Sequence, residues 1–518
     1  MSLAYEITLT ICELVYSNPH GCQHLLPLLA VNRAMCDVAL TVLWRELPTA
    51  LPLLHLMPED VIERHLAVDS VWRYILHGPP SPSQLDRFHV YAPRVRAIIS
   101  RERALTYDTI EAFAAILRCH TSMTDAPFLP NLTCLRLAHG SDPVLEFVPS
   151  MINRGLETLA IPQAVVELEP ILTRILEVLP PIRNLICIEI TNLTRLRDFT
   201  RRIHLLPTLR ALTVTLLDPE GMEAIFSHPF LRNLTVIVDR QLYLPQHTPT
   251  FHHPLHSFSI KFRKSWLGGG MGADDLDAAL TLLRRVRPPC EQLSITLGLH
   301  VDGPALGKFI SSLLPEPSRV ALTEFSIFDL SHFTVDVEAI TNCHSAPFEL
   351  KFLQPLFQVL LTHIDLSCFN MCLLDDDDLF DLSVSLPQIE SLFLGCSRYF
   401  PTPPRASLVG VSHLILHCRA LRELGLVFSC SLGTMDLDLL PRNKWINTLT
   451  VGVSPPYNDV AVAAFLGRSL PSVNTIHVED YDSLLRPANY ILYDRLKRVE
   501  RWQNILDRRS SLIYDFGL

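Results

Sequence analysis

The chain has 518 residues, of which 48% are hydrophobic and 19% charged, with a formal net charge of −10 and a pI near 6.1. That length exceeds one ordinary core, so the chain forms several domains or one elongated array, and its composition excludes general disorder. The acid excess excludes the electrostatic footprint of a nucleic-acid or anionic-lipid binder.

The first twenty residues carry Glu6 and Glu13 but no basic region or small-residue cleavage site, and the chain holds no long uninterrupted apolar run. Neither a secretory signal nor a membrane span is therefore expected. The 13 cysteines are scattered without a C-x-x-C pair. They read as reduced thiols packed as small hydrophobes in a cytoplasmic or nuclear protein.

Residues 1–48 carry three apolar stripes. Ile7, Ile11, Leu14 and Val15 form the first. Leu25, Leu26, Leu28 and Leu29, interrupted by Pro27, form the second. Val31, Met35, Val38 and Val42 form the third, which ends at Leu43 and Trp44. The spacing predicts two or three short helices, with more apolar surface than so small a unit buries alone. Residues 49–93 read as a linker with capping helices, and Val95 and Ile98 as a degenerate first turn of a repeat array.

From 94 to 480 one pattern recurs, apolar-x-x-apolar-x-apolar. Thirteen copies start at Leu132, Leu156, Leu185, Leu209, Leu231, Leu255, Cys290, Leu322, Leu361, Ile389, Leu421, Ile446 and Val473. The last two apolar positions lie two apart, on one face of a short strand. A single strand cannot hide that face, but stacked copies bury a continuous spine. Between strands, Tyr107–His120, Asp274–Val286 and Asp375–Leu386 have helical spacing. Leu-Pro steps at 129–130, 206–207, 386–387 and 470–471 mark where a return ends and the next strand approaches. An ordinary α/β protein with Leu-rich strands is the competing reading. In the tail, 481–518, Asn489–Arg508 predicts an amphipathic helix with Leu492, Leu496, Val499, Trp502 and Leu506 on one side. Arg495, Lys497, Arg498 and Arg501 lie on the other, so it reads as a cap with a solvated face.

No catalytic constellation emerges. Gly268, Gly269, Gly270 and Gly272 are followed by no Lys-Ser/Thr, so they read as a loop and not a phosphate cradle. His252, His253 and His256 flank Pro254 and lack a ligand register. The run Asp375 to Asp378 lacks the glycine and glutamate of a calcium loop and suits a helix N-terminus. No G-x-S-x-G is present. Neither enzyme activity, a cofactor nor a metal is expected.

Residues 95–480 resemble the leucine-rich-repeat family, although that family's Asn/Cys position is mostly absent. The resemblance implies an α/β solenoid, a curved parallel sheet with outer helices. The Ala4-Tyr5-Glu6-Ile7 opening and LLPLLAVNRAMCDVALTVLWREL over 25–47 resemble the F-box, in the divergent form of mushroom-forming fungi, whose third helix ends in Leu-Trp-Arg-Glu-Leu-Pro. LPLLHLMPEDV and SPSQLDRFHVYAPRVRAII resemble the linker of those proteins. The usual Leu-Pro is here Leu3-Ala4, and the usual Val-Cys-Arg is Val31-Asn32-Arg33.

The resemblance implies a substrate-recognition subunit that docks on a Skp-type adaptor, and through it on a cullin–RING ubiquitin ligase, while the repeats hold an unidentified target protein. Position by position it puts adaptor contacts at Ile7, Ile11, Leu14, Leu26, Leu28, Leu29, Val31 and Trp44, with packing inside the segment as the alternative for Trp44. Target contacts are expected on the concave sheet face at Arg136, Thr158, Glu189, Thr213, Glu423 and His477. A repeat scaffold without ubiquitin coupling, its N-terminal helices serving as a cap, is the alternative.

Overall fold

A computed structural model describes residues 5–17, 21–66, 72–99, 107–124, 126–137, 148–161, 181–187, 203–216, 225–238, 255–262, 272–286, 290–298, 303–313, 322–329, 348–397, 403–431, 439–455, 459–478 and 497–509, with positions 171, 174, 175, 177, 178, 223 and 301 between them. The chain divides into two compact units, Met1–Leu231 and Arg232–Leu518. Both are α/β, and in each a parallel sheet is flanked by helices and assembled from stacked repeats in solenoid-like fashion.

The first unit opens with helices α1 (Tyr5–Tyr16), α2 (Gly21–Leu25) and α3 (Arg33–Arg45), with a 3-10 turn over Leu26–Ala30. Pro27 falls in the first turn of that 3-10 segment, where its missing N–H is not needed. Asn32 caps α3, its Oδ1 accepting from the Met35 N–H at 2.9 Å. Cys12, Leu25, Val38, Ala39 and Val42 form the bundle's own core.

The chain then enters strand β1 (Glu46–Leu47), followed by a helix over Leu51–Leu54. The segment expected to hold only linker and helices contains an antiparallel hairpin, β2 (Ile62–Leu66) with β3 (Trp72–Leu76). The sequence hides it because its apolar alternation is short and broken by Arg64 and His65. Ile62 and Tyr74 are its buried members.

Next come β4 (Ala97–Ile99), β5 (Cys134–Arg136), β6 (Thr158–Ile161), β7 (Asn184–Cys187) and β8 (Ala211–Leu216). All pair in parallel, and β1 is the outer strand beside β4. One apolar ladder runs in register through Leu47, Ile98, Leu135, Leu159, Leu185 and Leu212. Each of these side chains is buried. Burying a Leu or Ile contributes about 1.5–3 kcal/mol, so the ladder is the main cohesive element of the sheet.

The register corrects one repeat frame. Sequence spacing opens a copy at Leu185, yet Leu185 pairs with Leu159 and Leu212, which are second apolar positions. The opening residue is Ile182, fully buried like Leu156 and Leu209. Two overlapping triplets, Ile182-Leu185-Cys187 and Leu185-Ile188-Ile190, share the same spacing, and strand pairing selects the first.

The Leu-Pro steps lie at a buried turn three residues before each opening apolar residue. Leu129, Leu206, Leu386 and Leu470 fill it, and their carbonyls accept from the N–H of Leu132, Leu209, Ile389 and Val473. At four described repeats where this position is not leucine, its side chain reaches a carbonyl of the preceding repeat. Asn153 Nδ2 donates to the Leu129 oxygen at 2.8 Å and the Leu132 oxygen at 3.1 Å. His228 Nε2 donates to the Leu206 oxygen at 3.0 Å. In the second unit Cys418 and Asn443 do the same toward Leu386 and Leu421. Burial pushes the Cys418 thiol up to about 12, which keeps it a donor.

The predicted helix after β4 is present as Tyr107–Met123. It closes over an aromatic cluster in which Phe88 stacks on Phe128 at 4.5 Å, and Phe113 and His120 meet Phe128 edge-on at 5.6 and 5.4 Å.

The second unit repeats the scheme with nine described parallel strands: β9 (Asn233–Val238), β10 (Leu255–Phe262), β11 (Cys290–Leu297), β12 (Glu324–Asp329), β13 (His363–Leu366), β14 (Ser391–Leu394), β15 (Glu423–Leu426), β16 (Thr448–Gly452) and β17 (Thr475–Val478). Its ladder continues from Leu234 and Phe258 to Leu424, Leu449 and Ile476. The acidic run expected at a helix N-terminus stands there. Asp375 and Asp378 form a capping box on the helix Asp376–Ser385. Asp376 reaches the next repeat, accepting from the Ser407 N–H and hydroxyl at 2.7 Å and the Gly410 N–H at 2.9 Å.

Residues 497–509 are helical. Trp502 is buried there, donating to the Ser454 carbonyl at 3.3 Å and meeting Phe428 edge-on, while Arg509 donates to the Val473 carbonyl. These contacts tie the helix to the last three repeats, the position expected of a cap. Leu492, Arg495 and Leu496 lie outside the described residues, as do His252, His253 and Gly268 to Gly270. Among the described residues no helix is long and apolar enough to cross a membrane.

This packing makes stability sensitive to pH through His120 and to substitution at Gly452. His120 is buried, and because the Ala126 carbonyl can only accept, Nε2 donates to it at 3.0 Å while Nδ1 accepts from His89 at 3.3 Å. Burial holds its pKa below the ordinary 6.5, and the neighbouring His89 adds to this against the Ala126 bond. The unfolded chain therefore binds a proton that the folded state refuses, so stability present above about pH 6.5 should fall as pH drops below it. Urea melts between pH 7.5 and 5.5 should show this slope, and His120→Gln should reduce it, leaving the part due to His55, whose pKa burial also lowers. Gly452 has φ +52°, and a Cβ there would lie 2.7 Å from the Cys396 carbonyl oxygen. Gly452→Ala should destabilise the protein by at least about 1 kcal/mol in equilibrium unfolding.

Candidate functional site

The N-terminal bundle buries one side of α1 and leaves another in water. Thr8 and Cys12 point inward. Ile7, Ile11 and Leu14, spaced i, i+4 and i+7, are 51%, 39% and 64% exposed, which makes a continuous apolar stripe along one helix. Leu26 and Val31 on the neighbouring turn are 57% and 59% exposed. Five of the eight residues expected to meet an adaptor are thus on the surface.

The other three are engaged internally. Leu28 and Leu29 pack against the bundle core. Trp44 is half-buried and lies over Tyr91 with ring centroids 4.6 Å apart, the packing within the segment expected as its alternative role. That ring pair belongs to a broader junction. Arg94 donates to the Asp37 carboxylate at 2.6 Å and the Thr41 hydroxyl at 2.7 Å, and the Arg96 N–H to the Arg45 carbonyl at 2.9 Å. Arg45 also pairs with Glu13. The bundle is therefore fastened to the sheet through β1 and α3, and the α1 stripe takes no part in the fastening.

The sheet face opposite the apolar ladder carries the residues expected to contact a target. Arg136 on β5 is exposed. Thr158 on β6 is buried, its hydroxyl accepting from Asn184 Nδ2 at 3.2 Å, so a cross-strand bond engages it. Thr213 on β8 is half-buried. Glu189 lies outside the described residues. The corrected register puts Ile186 beside Ala160 and Thr213, in the position assigned to Glu189.

In the second unit Glu423 is exposed and accepts from the Ser391 hydroxyl at 3.0 Å. His477 is exposed on β17. Its row runs back in register through Thr450, Gly425, Phe393 and Asp365. Phe393 covers Gly425 so closely that a Cβ there would lie 2.2 Å from the ring. Burial raises the Asp365 carboxyl above the ordinary carboxylate range, against the bond it accepts from the Ser367 N–H at 3.0 Å. Sequence spacing does not single out these middle residues. Their place between the two strand apolar positions marks the face but not which members meet.

At the end of this row a cavity of about 470 Å³ opens between Thr450, Ile476, His477 and the helix 497–509, whose Val499, Trp502, Gln503 and Leu506 form one wall. Cys396 and Ser397 close another side. Burial, and secondarily the charge of Asp365, pushes the Cys396 thiol far up, so it is no nucleophile. The cavity is a polar-and-apolar recess suited to a side chain of a bound partner. His256 pairs with Glu291 at 2.8 Å, and among the described residues no group of three His, Cys, Asp or Glu side chains is placed to hold a metal ion.

No family model matches the chain, and no curated protein matches it either.

Proposed function

We propose that the chain is the substrate-recognition subunit of a Skp–cullin–F-box ubiquitin ligase, an F-box protein whose leucine-rich repeats bind a target protein. The observation that carries this reading is the Ile7/Ile11/Leu14 stripe on α1, exposed beside a bundle core that is already closed. Each such side chain left in water forgoes about 1.5–3 kcal/mol of burial, and a contiguous apolar stripe on a folded helix is the form of surface a partner covers.

In this reading the Skp-type adaptor covers the stripe together with Leu26 and Val31. The junction at β1, Arg94 and Trp44 fixes the orientation of bundle and sheet within the first unit. The chain carries out no bond chemistry itself. It works by proximity, raising the effective concentration of target lysines near a ubiquitin thioester, in the cytoplasm or nucleus. Target contacts fall on the sheet face of each unit, at Arg136 in the first and at Glu423 and His477 in the second, polar positions of the type found in specific interfaces.

The same junction also favours a second reading, a repeat scaffold in which the bundle only caps the sheet. Co-expression with a fungal Skp adaptor, followed by size-exclusion chromatography, separates the two. The ligase reading expects stoichiometric co-elution. Ile11→Asp with Leu14→Asp should weaken that complex by on the order of 100-fold or more, because it buries unpaired carboxylates. Both residues are exposed, so the thermal midpoint should stay within a few degrees. Separate elution of a folded chain, or a complex indifferent to both substitutions, would leave the scaffold.

A further inference from the structure

A second surface, on the helical side of the last repeats, is independent of the adaptor reading. The helix Leu408–His417 and the segment leading into β16 enclose a cavity of about 680 Å³. Its walls include Leu416 and Trp445, which are 49% and 59% exposed. Around them stand Arg419, Arg442 and Lys444, all exposed. Among the described residues no carboxylate lines this cavity, in a chain whose net charge is −10.

The segment that presents these groups is held in one shape. Asn443 is buried and makes four bonds. Its N–H donates to the Ser469 carbonyl at 2.8 Å, and its Nδ2 donates to the Leu421 carbonyl at 3.1 Å. Its Oδ1 accepts from the N–H groups of Trp445 at 2.7 Å and Ile446 at 3.2 Å. Lys444 rests its ammonium 4.9 Å above the Trp445 ring. An exposed tryptophan on a pinned turn supplies large contact area with little ordering entropy left to lose, and Trp and Arg are the residues that dominate binding energy at interfaces.

We infer that this cavity docks an acidic peptide segment carrying a large apolar side chain. The apolar side chain enters between Leu416 and Trp445, and flanking carboxylates pair with Arg419, Arg442 and Lys444. Three cations gathered around one apolar recess suit a short peptide better than a nucleic acid, which needs a basic stripe following its backbone. A concave site also suits a protruding side chain better than a flat membrane surface does.

The test uses the full chain and a fluorescein-labelled peptide of about a dozen residues, Asp and Glu around a single Phe. Fluorescence anisotropy should rise with protein, and affinity should fall several-fold between low salt and about 0.3 M salt. Trp445→Ala, and separately Arg419→Glu with Arg442→Glu, should each weaken binding about tenfold or more, as should removing the Phe from the peptide. These side chains are exposed, so circular dichroism and the thermal midpoint should match the parent chain. Several results would overturn the inference: no anisotropy change up to millimolar protein, binding untouched by these substitutions, or equal binding of a Lys-for-acid peptide. Tighter binding of a single-stranded oligonucleotide would replace it with a nucleic-acid site. Self-association abolished by Trp445→Ala would replace it with an interface to a second copy.

Discussion

Everything else in this protein hangs on the in-register stacking of parallel strands that carry one apolar residue each into a common ladder. In the first unit Leu135, Leu159, Leu185 and Leu212 meet strand to strand, and in the second Leu392, Leu424 and Leu449 do the same. Most strands are short, and even the eight-residue β10 and β11 are single strands, so no repeat could bury its side chain alone. Neighbour stacking supplies the burial, and the backbone hydrogen bonds enforce the register because a slip of one residue would turn every apolar side chain outward.

Stacking also creates a cost that the sequence meets repeat by repeat. The turn before each strand is buried, and its carbonyls need donors. Leucine followed by proline keeps some turns dry and self-bonded, whereas Asn153, His228, Cys418 and Asn443 donate across to the preceding repeat. A buried carbonyl left unpaired costs more than a bond to it returns, so at Asn153, His228, Cys418 and Asn443 the departure from leucine is offset by the bond it makes. Asn443 shows how such a structural device serves a surface, since the turn it pins also displays Arg442, Lys444 and Trp445.

With the ladder taking the apolar side of each strand, three surfaces stand out among the described residues. The α1 stripe is apolar, the sheet face is polar and mixed in charge, and the cavity beside Trp445 is basic and aromatic. Their chemistries differ, so each is suited to a different kind of partner, in keeping with the proposed function. The tight packing of Phe393 over Gly425, and of the Trp502 helix against β16 and β17, gives the sheet face relief instead of leaving a flat plane.

By itself the sequence determined the repeat unit, the placement of twelve of its thirteen strands along the chain, the Leu-Pro boundaries, the helix N-terminus at Asp375 to Asp378 and the helical character of the N-terminal segment. These arise from local spacing, and local spacing is what a sequence records. The tertiary structure alone decided the frame of the repeat at Ile182, because two overlapping triplets satisfy the same spacing and only pairing with Leu159 chooses between them. It alone revealed that Glu46 and Leu47 form the outer strand, that a hairpin occupies 62–76, and that Trp44 packs on Tyr91. It also divided the eight apolar residues expected to meet an adaptor into five exposed ones and three packed on neighbours. Each of these outcomes depends on which distant segment lies alongside, and burial is a property of that neighbour as much as of the residue itself.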